Sequence, residues 1–563
     1  MKDLNDLKPC DKVKGYPIRT NYYFRRLSEI LPGMIDLVLL TLPFIIVLFN
    51  AYYFFLIFIN ILALYWSFRA FRYLYGIYKG IRSYNIELKI DWINLIKNKY
   101  NTQYQKLKYV LIYPVYKENL ETIEKSIAGW VNSDIDTKKI SLVVALEEKY
   151  SQKGIKNFNF IKNKYGDKLR EIIIVVHPVI EGEVKGVKGA NINYASREFV
   201  DILKTRGESL NEYLLFTFDS DQIPHRKYMS AITYKYLSQD NPYNKFYTSA
   251  VSTFNNNLWR VPILIRLFSR GLTLTVMQNW ALKKWSNISP DCWSSYAVNL
   301  KTVADVGFWL PDVESDDTSF FWNAILHFDG DFQGVETYVP TFNDAVESTS
   351  LIKSYKALYR QQYRWGWGIV SFSNTITGMY YNKKIPLKKK FDMLWNFFIN
   401  HFFMRVVSFL IVLGVLIVNI LHQVLYSSHH YLGDVLPDHS QIVGDHVNSI
   451  NLLDSIFTLA SPFLNLVNNH VLEFSFHPII GWLLISIFFL NIPIFFLQRK
   501  ICPFPKDWKG LSRIIRVSYD FISIGFIIIN LLTFGMIPYV LARFKLMFGQ
   551  RPKSFFITKK YNK

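Results

Sequence analysis

Long apolar stretches at both ends of the chain flank a middle in which short apolar runs alternate with helical patterns. The first stretch, MIDLVLLTLPFIIVLFNAYYFFLIFINILALYWSF, is too long for one crossing of a bilayer core of about 30 Å. Asn50-Ala51 breaks it, which predicts two spans, 33–49 and 52–69, joined by a tight turn. Arg25 and Arg26 precede the pair, and Arg69, Arg72, Lys79 and Arg82 follow it. Basic residues on both flanks place both flanks on the cytoplasmic side. From about 100 to 380, KYVLIYPVY, ISLVVALEE, EIIIVVHPV and EYLLFTFDS read as buried parallel strands. Helical patterns such as LETIEKSIAGWV and NINYASREFVDIL lie between them. Alternation of this kind predicts a doubly wound α/β sheet with its ligand site at the strand C-terminal ends.

Further on, 402–425 reads as a span and 478–498 as its return. No Lys or Arg occurs between Val406 and Gln498, so the intervening loop is expected outside the cytoplasm. Within it, SIFTLASPFLNLV suits a re-entrant or interfacial segment. A last apolar run covers 517–542. A further crossing there would put the basic tail (Arg543, Lys545, Arg551, Lys553) outside, against the charge rule, and the two readings of this run stay open. The expected organisation is a cytoplasmic segment (1–30), a transmembrane hairpin (31–71), a cytoplasmic catalytic domain (72–380), then interfacial helices and a C-terminal transmembrane region (381–563), which makes a multi-pass integral membrane protein.

Composition agrees with that outline. Half of the 563 residues are hydrophobic, 17% are aromatic, and the net charge is +21. The Lys and Arg residues cluster beside the apolar spans, which fits loops facing anionic lipid and a bilayer as partner; no motif for nucleic acid accompanies the charge. Three isolated cysteines, Cys10, Cys292 and Cys502, exclude a disulfide framework and structural zinc. Seven of the eleven histidines fall between Val406 and Gln498, scattered as solvated residues rather than spaced as metal ligands.

Three separated motifs carry the chemistry. Asp219-Ser220-Asp221 ends an apolar strand, and two carboxylates one residue apart can meet a divalent cation, Mg2+ or Mn2+, from one side. Alone, the same pattern is a solvated turn. Asp316-Asp317 lies in an acidic patch with Asp312 and Glu314. An Asp there can take the proton of an attacking hydroxyl, Asp317 as base and Asp316 as its neighbour, or simply favour a helix N-terminus. Gln361, Arg364 and Trp365 share one helix face, where Arg pairs with diphosphate oxygens and Trp stacks on sugar. An interfacial helix with belt residues gives the same pattern. Lys188-Gly189-Ala190-Asn191 reads as a small-residue helix start that brings backbone donors and a cation to a phosphate.

In this order the set resembles the family 2 glycosyltransferases of the GT-A fold, especially the membrane branch with cellulose, chitin and hyaluronan synthases. The resemblance covers about 100–370 and the flanking spans. It implies a GT-A domain inserted between transmembrane α-helices, and an inverting transferase that moves a sugar from a UDP-sugar donor to a growing saccharide. The alternative is a single transfer to a membrane lipid. By the same resemblance Pro114, Tyr116, Glu118, Glu147 or Glu148, Lys188, Asn191, Asn193 and Asp219 hold the nucleotide-sugar, Asp219 and Asp221 the metal, and Gln361, Arg364 and Trp365 the acceptor and diphosphate, with Asp317 as catalytic base. Ser315-Asp316-Asp317 stands where cellulose synthases have Thr-Glu-Asp and hyaluronan synthases Gly-Asp-Asp, so this motif assigns no product.

Overall fold

The computed structural model describes residues 11–19, 22–184, 186, 188–422, 425 and 489–552. The expected re-entrant segment, residues 478–488 of the 478–498 span, Cys10, the end of the basic tail and all the histidines between 406 and 498 except His422 lie outside these residues. The chain forms two compact units. One comprises Met1–Asp36, Gly76–Arg405 and Gln498–Lys563; the other comprises Leu37–Tyr75 and Val406–Leu497.

In the first unit a hairpin of β1 (Lys12–Val13) and β2 (Tyr16–Pro17) opens the chain. Helix α1 (Tyr22–Leu48) follows, then α2 (Tyr52–Glu87), both of which cross the boundary between units. The break at Asn50 is where the sequence placed it, but α2 continues well past 69. Its last residue explains why. Glu87 is buried and accepts from the Thr337 hydroxyl (2.6 Å) and the Tyr338 amide (2.7 Å), with Lys235 Nζ at 3.0 Å. A paired buried carboxylate of this kind ties the helix end to the α/β layer.

The α/β layer then runs α3 (Trp92–Lys106), β3 (Lys108–Val115), α4 (Leu120–Val131), β4 (Ile140–Glu147), α5 (Ser151–Tyr165), β5 (Glu171–His177), α6 (Lys188–Thr205) and β6 (Tyr213–Thr217). It continues through β7 (Ile223–Pro224), α7 (Tyr228–Leu237), β8 (Lys245–Ser249), β9 (Ser252–Thr253), α8 (Ile263–Ala281), β10 (Tyr296–Asn299), α9 (Leu300–Val306), α10 (Asp316–His327), β11 (Gln333–Thr337), β12 (Thr341–Phe342), α11 (Leu351–Gly366) and α12 (Val370–Tyr381). Seven strands form one sheet in the order β11-β8-β10-β6-β3-β4-β5. The four strands expected from sequence are its parallel half, with β3 central between β4 and β6. Beyond these four, β10 lies antiparallel to both β6 and β8, so the sheet as a whole is mixed. β7, β9 and β12 make a small second sheet.

Burial and local chemistry account for these elements. β4 is buried along almost its whole length, as a strand covered on both faces must be. Asn119 caps α4, its side chain accepting the Thr122 amide at 2.8 Å. Beneath the sheet, Trp130 meets Phe218 edge-on with ring centroids 4.7 Å apart, and Tyr228 packs on Phe218 at 5.4 Å.

Two apolar helical runs complete the chain: α13 (Leu387–His422) and α14 (Gly510–Met547). With Tyr23–Leu48 of α1, they are the three helices among the described residues long and apolar enough to cross a membrane. The α14 run begins before the expected 517, because GLSRIIRV is already helical and carries its apolar residues on one face.

Candidate active site

The C-terminal edge of the parallel strands carries most of the motif residues. After β6 the chain turns, with the Gln222 amide donating to the Asp219 carbonyl at 3.0 Å. The Gln222 side chain then holds the turn open. Its Oε1 accepts the Asp219 amide (3.1 Å), and its Nε2 donates to Ser294 Oγ (2.9 Å). Lys188, the first residue of α6, puts Nζ 2.9 Å from Asp219 Oδ1 and 3.2 Å from the Ser294 carbonyl.

α10 opens on Asp316 and Asp317. Asp317 Oδ1 accepts the Thr318 amide at 2.7 Å, and the Cys292 thiol donates to the Asp317 carbonyl at 3.1 Å. The first turns of α6 and α10 touch. A Cβ on Gly189 would lie only 2.7 Å from the Asp316 Cβ, so the bare backbone of glycine is what lets them meet. Two helix N-termini, each carrying a partial positive charge, thus converge on one place. The C-terminal turn of α11 brings Arg364, whose charge acts on Asp219, Asp316, Asp317 and Glu314.

Electrostatics bind this group into a unit. Burial pushes the Asp316 and Asp317 carboxyls up, Lys188 pulls them down, and nearby carboxylates push them up again, leaving both above the usual carboxylate range. Burial alone would lower Lys188, but Asp219, Asp316 and Asp317 outweigh it and hold its ammonium charged. Burial lowers Arg364 despite the four acids around it. Glu314 is raised to about 7 by burial, against the pull of Arg364.

A second cluster lies at the ends of β3 and β4. Glu118 closes the turn after β3 by accepting the Tyr116 and Lys117 amides (2.7 and 3.1 Å). The Tyr116 ring meets Tyr150 with centroids 4.5 Å apart, and Lys117 Nζ lies within 4.8 Å of both ring centres. Glu147 is raised by burial and then by Glu118. Glu148 accepts the Val179 amide at 3.3 Å and lines a groove with Tyr150. Pro114 is half-buried near the end of β3.

The remaining residues sit elsewhere. Asn191 is buried between helix and sheet and donates to the Ala145 carbonyl at 2.8 Å, and Asn193 accepts from Arg197 Nε at 2.9 Å. Asp221 lines a pocket of about 250 Å³ with Lys125, Arg260 and Asp344. Gln361 and Trp365 are half-buried on the same helix as Arg364, whereas the neighbouring Gln362 is fully buried and accepts from the Tyr539 hydroxyl at 3.0 Å. At Gly366 a Cβ would lie 3.1 Å from Tyr539 Cα and 3.0 Å from Ala542 Cβ, so α11 seats its end directly on α14.

Among the described residues no group of three or more His, Cys, Asp and Glu side chains gathers to hold a metal ion. Asp219 and Asp221 offer hard oxygen donors, a chemistry that would suit Mg2+ or Mn2+.

Sequence reasoning missed Gln222, Ser294 and Tyr150. Gln222 directly follows the Asp219-Ser220-Asp221 motif and Tyr150 comes three residues after the end of β4, so chain position was the available signal; Ser294 arrives from a distant loop and left none.

No family model matches the chain, and no curated protein matches it. Among solved structures, the mannosyltransferase PcManGT from Pyrobaculum calidifontis, in complex with GDP-Man and Mn2+, is similar over 82% of this chain and 98% of its own, at 12% identity and a TM-score of 0.39. TarS of S. aureus is similar over 51% of this chain and 47% of its own, at 12% identity and a TM-score of 0.26. GalNAc-T7 with UDP, GalNAc and Mn2+ is similar over 52% of this chain and 58% of its own, at 9% identity and a TM-score of 0.32. The chain thus spans less than two thirds of the length of the latter two.

Proposed function

We propose that the protein is a membrane-embedded inverting glycosyltransferase of the GT-A kind. It takes a UDP-sugar on the cytoplasmic side and transfers the sugar to a growing saccharide. The observation that carries this reading is the meeting of Lys188, Asp219, Asp316, Asp317 and Arg364, from four separate segments, at the C-terminal edge of the sheet. A polar, partly buried cluster of two cations and three carboxylates suits a charged donor and a proton transfer better than it suits stability, because buried charges are costly to desolvate.

The roles follow from chemistry. Asp317, with Asp316 beside it, accepts the proton of the acceptor hydroxyl as that oxygen attacks the anomeric carbon. The bond from that carbon to the diphosphate breaks, and the nucleotide leaves with the electron pair. Lys188 and Arg364 neutralise the charge that builds on the leaving diphosphate. Asp219 and Asp221 would hold a divalent cation, which supplies further charge neutralisation when bound. Tyr116, Tyr150 and Glu118, with Pro114, Glu147 and Glu148, form the base end of the donor site, and Asn191 holds the helix that carries Lys188. Gln361 and Trp365 belong to the acceptor side.

Transfer of one sugar to a membrane lipid is the second reading, favoured by the seating of α11 on the apolar helix α14 at Gly366. The test is a donor screen with the full chain in lipid nanodiscs and Mn2+ or Mg2+. UDP-glucose, UDP-N-acetylglucosamine, UDP-galactose and UDP-glucuronate are assayed for UDP release, and the product is sized. The expected result is turnover of one or two donors with a long saccharide as product. A single sugar on a lipid selects the second reading, and no turnover of any donor opposes both.

A further inference from the structure

A buried cluster of arginines lies apart from the donor site. Arg266 and Arg270 project from α8, Arg499 precedes α14, and all three share one carboxylate, Asp520 on α14. Asp520 Oδ2 accepts from Arg270 at 2.5 Å and from Arg499 at 2.6 Å, and its Oδ1 lies 3.4 Å from Arg266. The carboxylate is fully buried, and the three arginine side chains keep only 4–14% of their surface exposed.

Among the described residues, three guanidiniums share this one carboxylate, which cancels one positive charge of three. Burial makes such an excess costly unless an anion completes it. Aromatic faces offset part of the cost: the Trp259 ring centre lies 5.2 Å from Arg266 and 5.4 Å from Arg499, and the Phe504 ring 3.9 Å from Arg499. Donors nevertheless remain over, since Nε of Arg266 and Nε of Arg270 are buried without a hydrogen-bond partner. The electrostatic strain is visible in the acidities. Burial, and then Arg270, lower Arg499 to about 10, and burial lowers Arg266 even though Asp520 opposes it.

We propose that Arg266, Arg270 and Arg499 form a binding site for a phosphate-bearing anion, with Asp520 fixing the geometry of the cluster. Guanidinium forks match phosphate oxygens in pairs, and a doubly charged phosphate cancels the excess. The surroundings favour a lipid headgroup as the source. On the same helix as Asp520, Leu511, Ile514, Ile515 and Ile522 present an exposed apolar face, with Arg513 and Arg516 also exposed. That combination suits the boundary between anionic headgroups and acyl chains.

The test uses the full chain, delipidated, with intrinsic tryptophan fluorescence and thermal unfolding as readouts. One arm supplies phosphatidylglycerol in phosphatidylcholine nanodiscs; the other supplies inorganic phosphate to protein in nanodiscs of phosphatidylcholine alone. Saturable binding of phosphatidylglycerol, weakened about tenfold or more by Arg499→Gln, is the expected result. Binding of inorganic phosphate with the same sensitivity supports the site with a soluble anion as its source. Asp520→Asn gives the sharpest discrimination. It raises the excess charge, so an anion site binds as tightly or more tightly and the ligand restores the variant's thermal stability. Equal loss of binding in Asp520→Asn and Arg499→Gln would mean a structural staple and overturn the proposal, as would wild-type protein that binds neither ligand.

Discussion

Lys188 stands where the charges of the candidate site balance. It pairs with Asp219 at 2.9 Å and feels both Asp316 and Asp317, so one ammonium serves three carboxylates. Those two aspartates are raised above ordinary carboxylates chiefly by burial, Asp317 to about 6. A base must be deprotonated to accept the acceptor's proton, so the rate is expected to fall as pH drops through about 6 and to level off above it; a pH profile of kcat measures this. A profile flat from pH 5 to 8 would remove Asp317 from the role of base. In the proposed mechanism Arg364 acts on the leaving diphosphate. Arg364→Ala is expected to weaken UDP affinity by about ten- to a hundredfold, the worth of a charge-assisted hydrogen bond, as read by calorimetry. Unchanged affinity would favour the reading of α11 as an interfacial helix.

The helix starts of α6 and α10 meet because residue 189 has no side chain. Gly189→Ala would press a methyl group to within 2.7 Å of Asp316 Cβ, and neither backbone can retreat without moving a charged residue of the site. It is expected to cost about 1–3 kcal/mol in thermal unfolding and a larger share of kcat than of donor affinity. This contact also marks the limit of what the sequence discloses. The strands β3 to β6 were legible because each is a continuous apolar, β-branched run ending in polar residues. β8, β10 and β11 were not, because KFYTS, YAVN and QGVET are short and mix polar with apolar residues, and only neighbouring strands complete their pattern. The antiparallel insertion of β10 between β6 and β8 is accordingly a tertiary fact. The charged motif residues were legible one by one. Their partners were not: Asp219 pairs with Lys188, Asp221 lines a pocket with Lys125, Arg260 and Asp344, and Asn191 stays in the helix–sheet contact.

At the scale of the whole molecule, the apolar helices and the α/β layer are linked through particular residues. Glu87 pins the end of α2 to β11, and Gly366 seats α11, with Arg364 two residues earlier, against α14. A site held this way is expected to depend on the apolar helices as well as on the sheet. The hydropathy pattern disclosed the break between α1 and α2 and the apolar character of α13 and α14. It did not disclose that α2 continues to Glu87, because a buried carboxylate partnered from a distant strand looks the same in sequence as a solvated one.

The central claim is that Asp317 lies at the centre of a site that transfers sugar from a nucleotide donor. Asp317→Asn in nanodiscs tests it most directly, with UDP release and UDP binding measured on the same preparation. The account predicts that UDP release falls by about a hundredfold or more while UDP affinity stays within a few-fold of wild type. Turnover at the wild-type rate by a well-folded Asp317→Asn protein would contradict it.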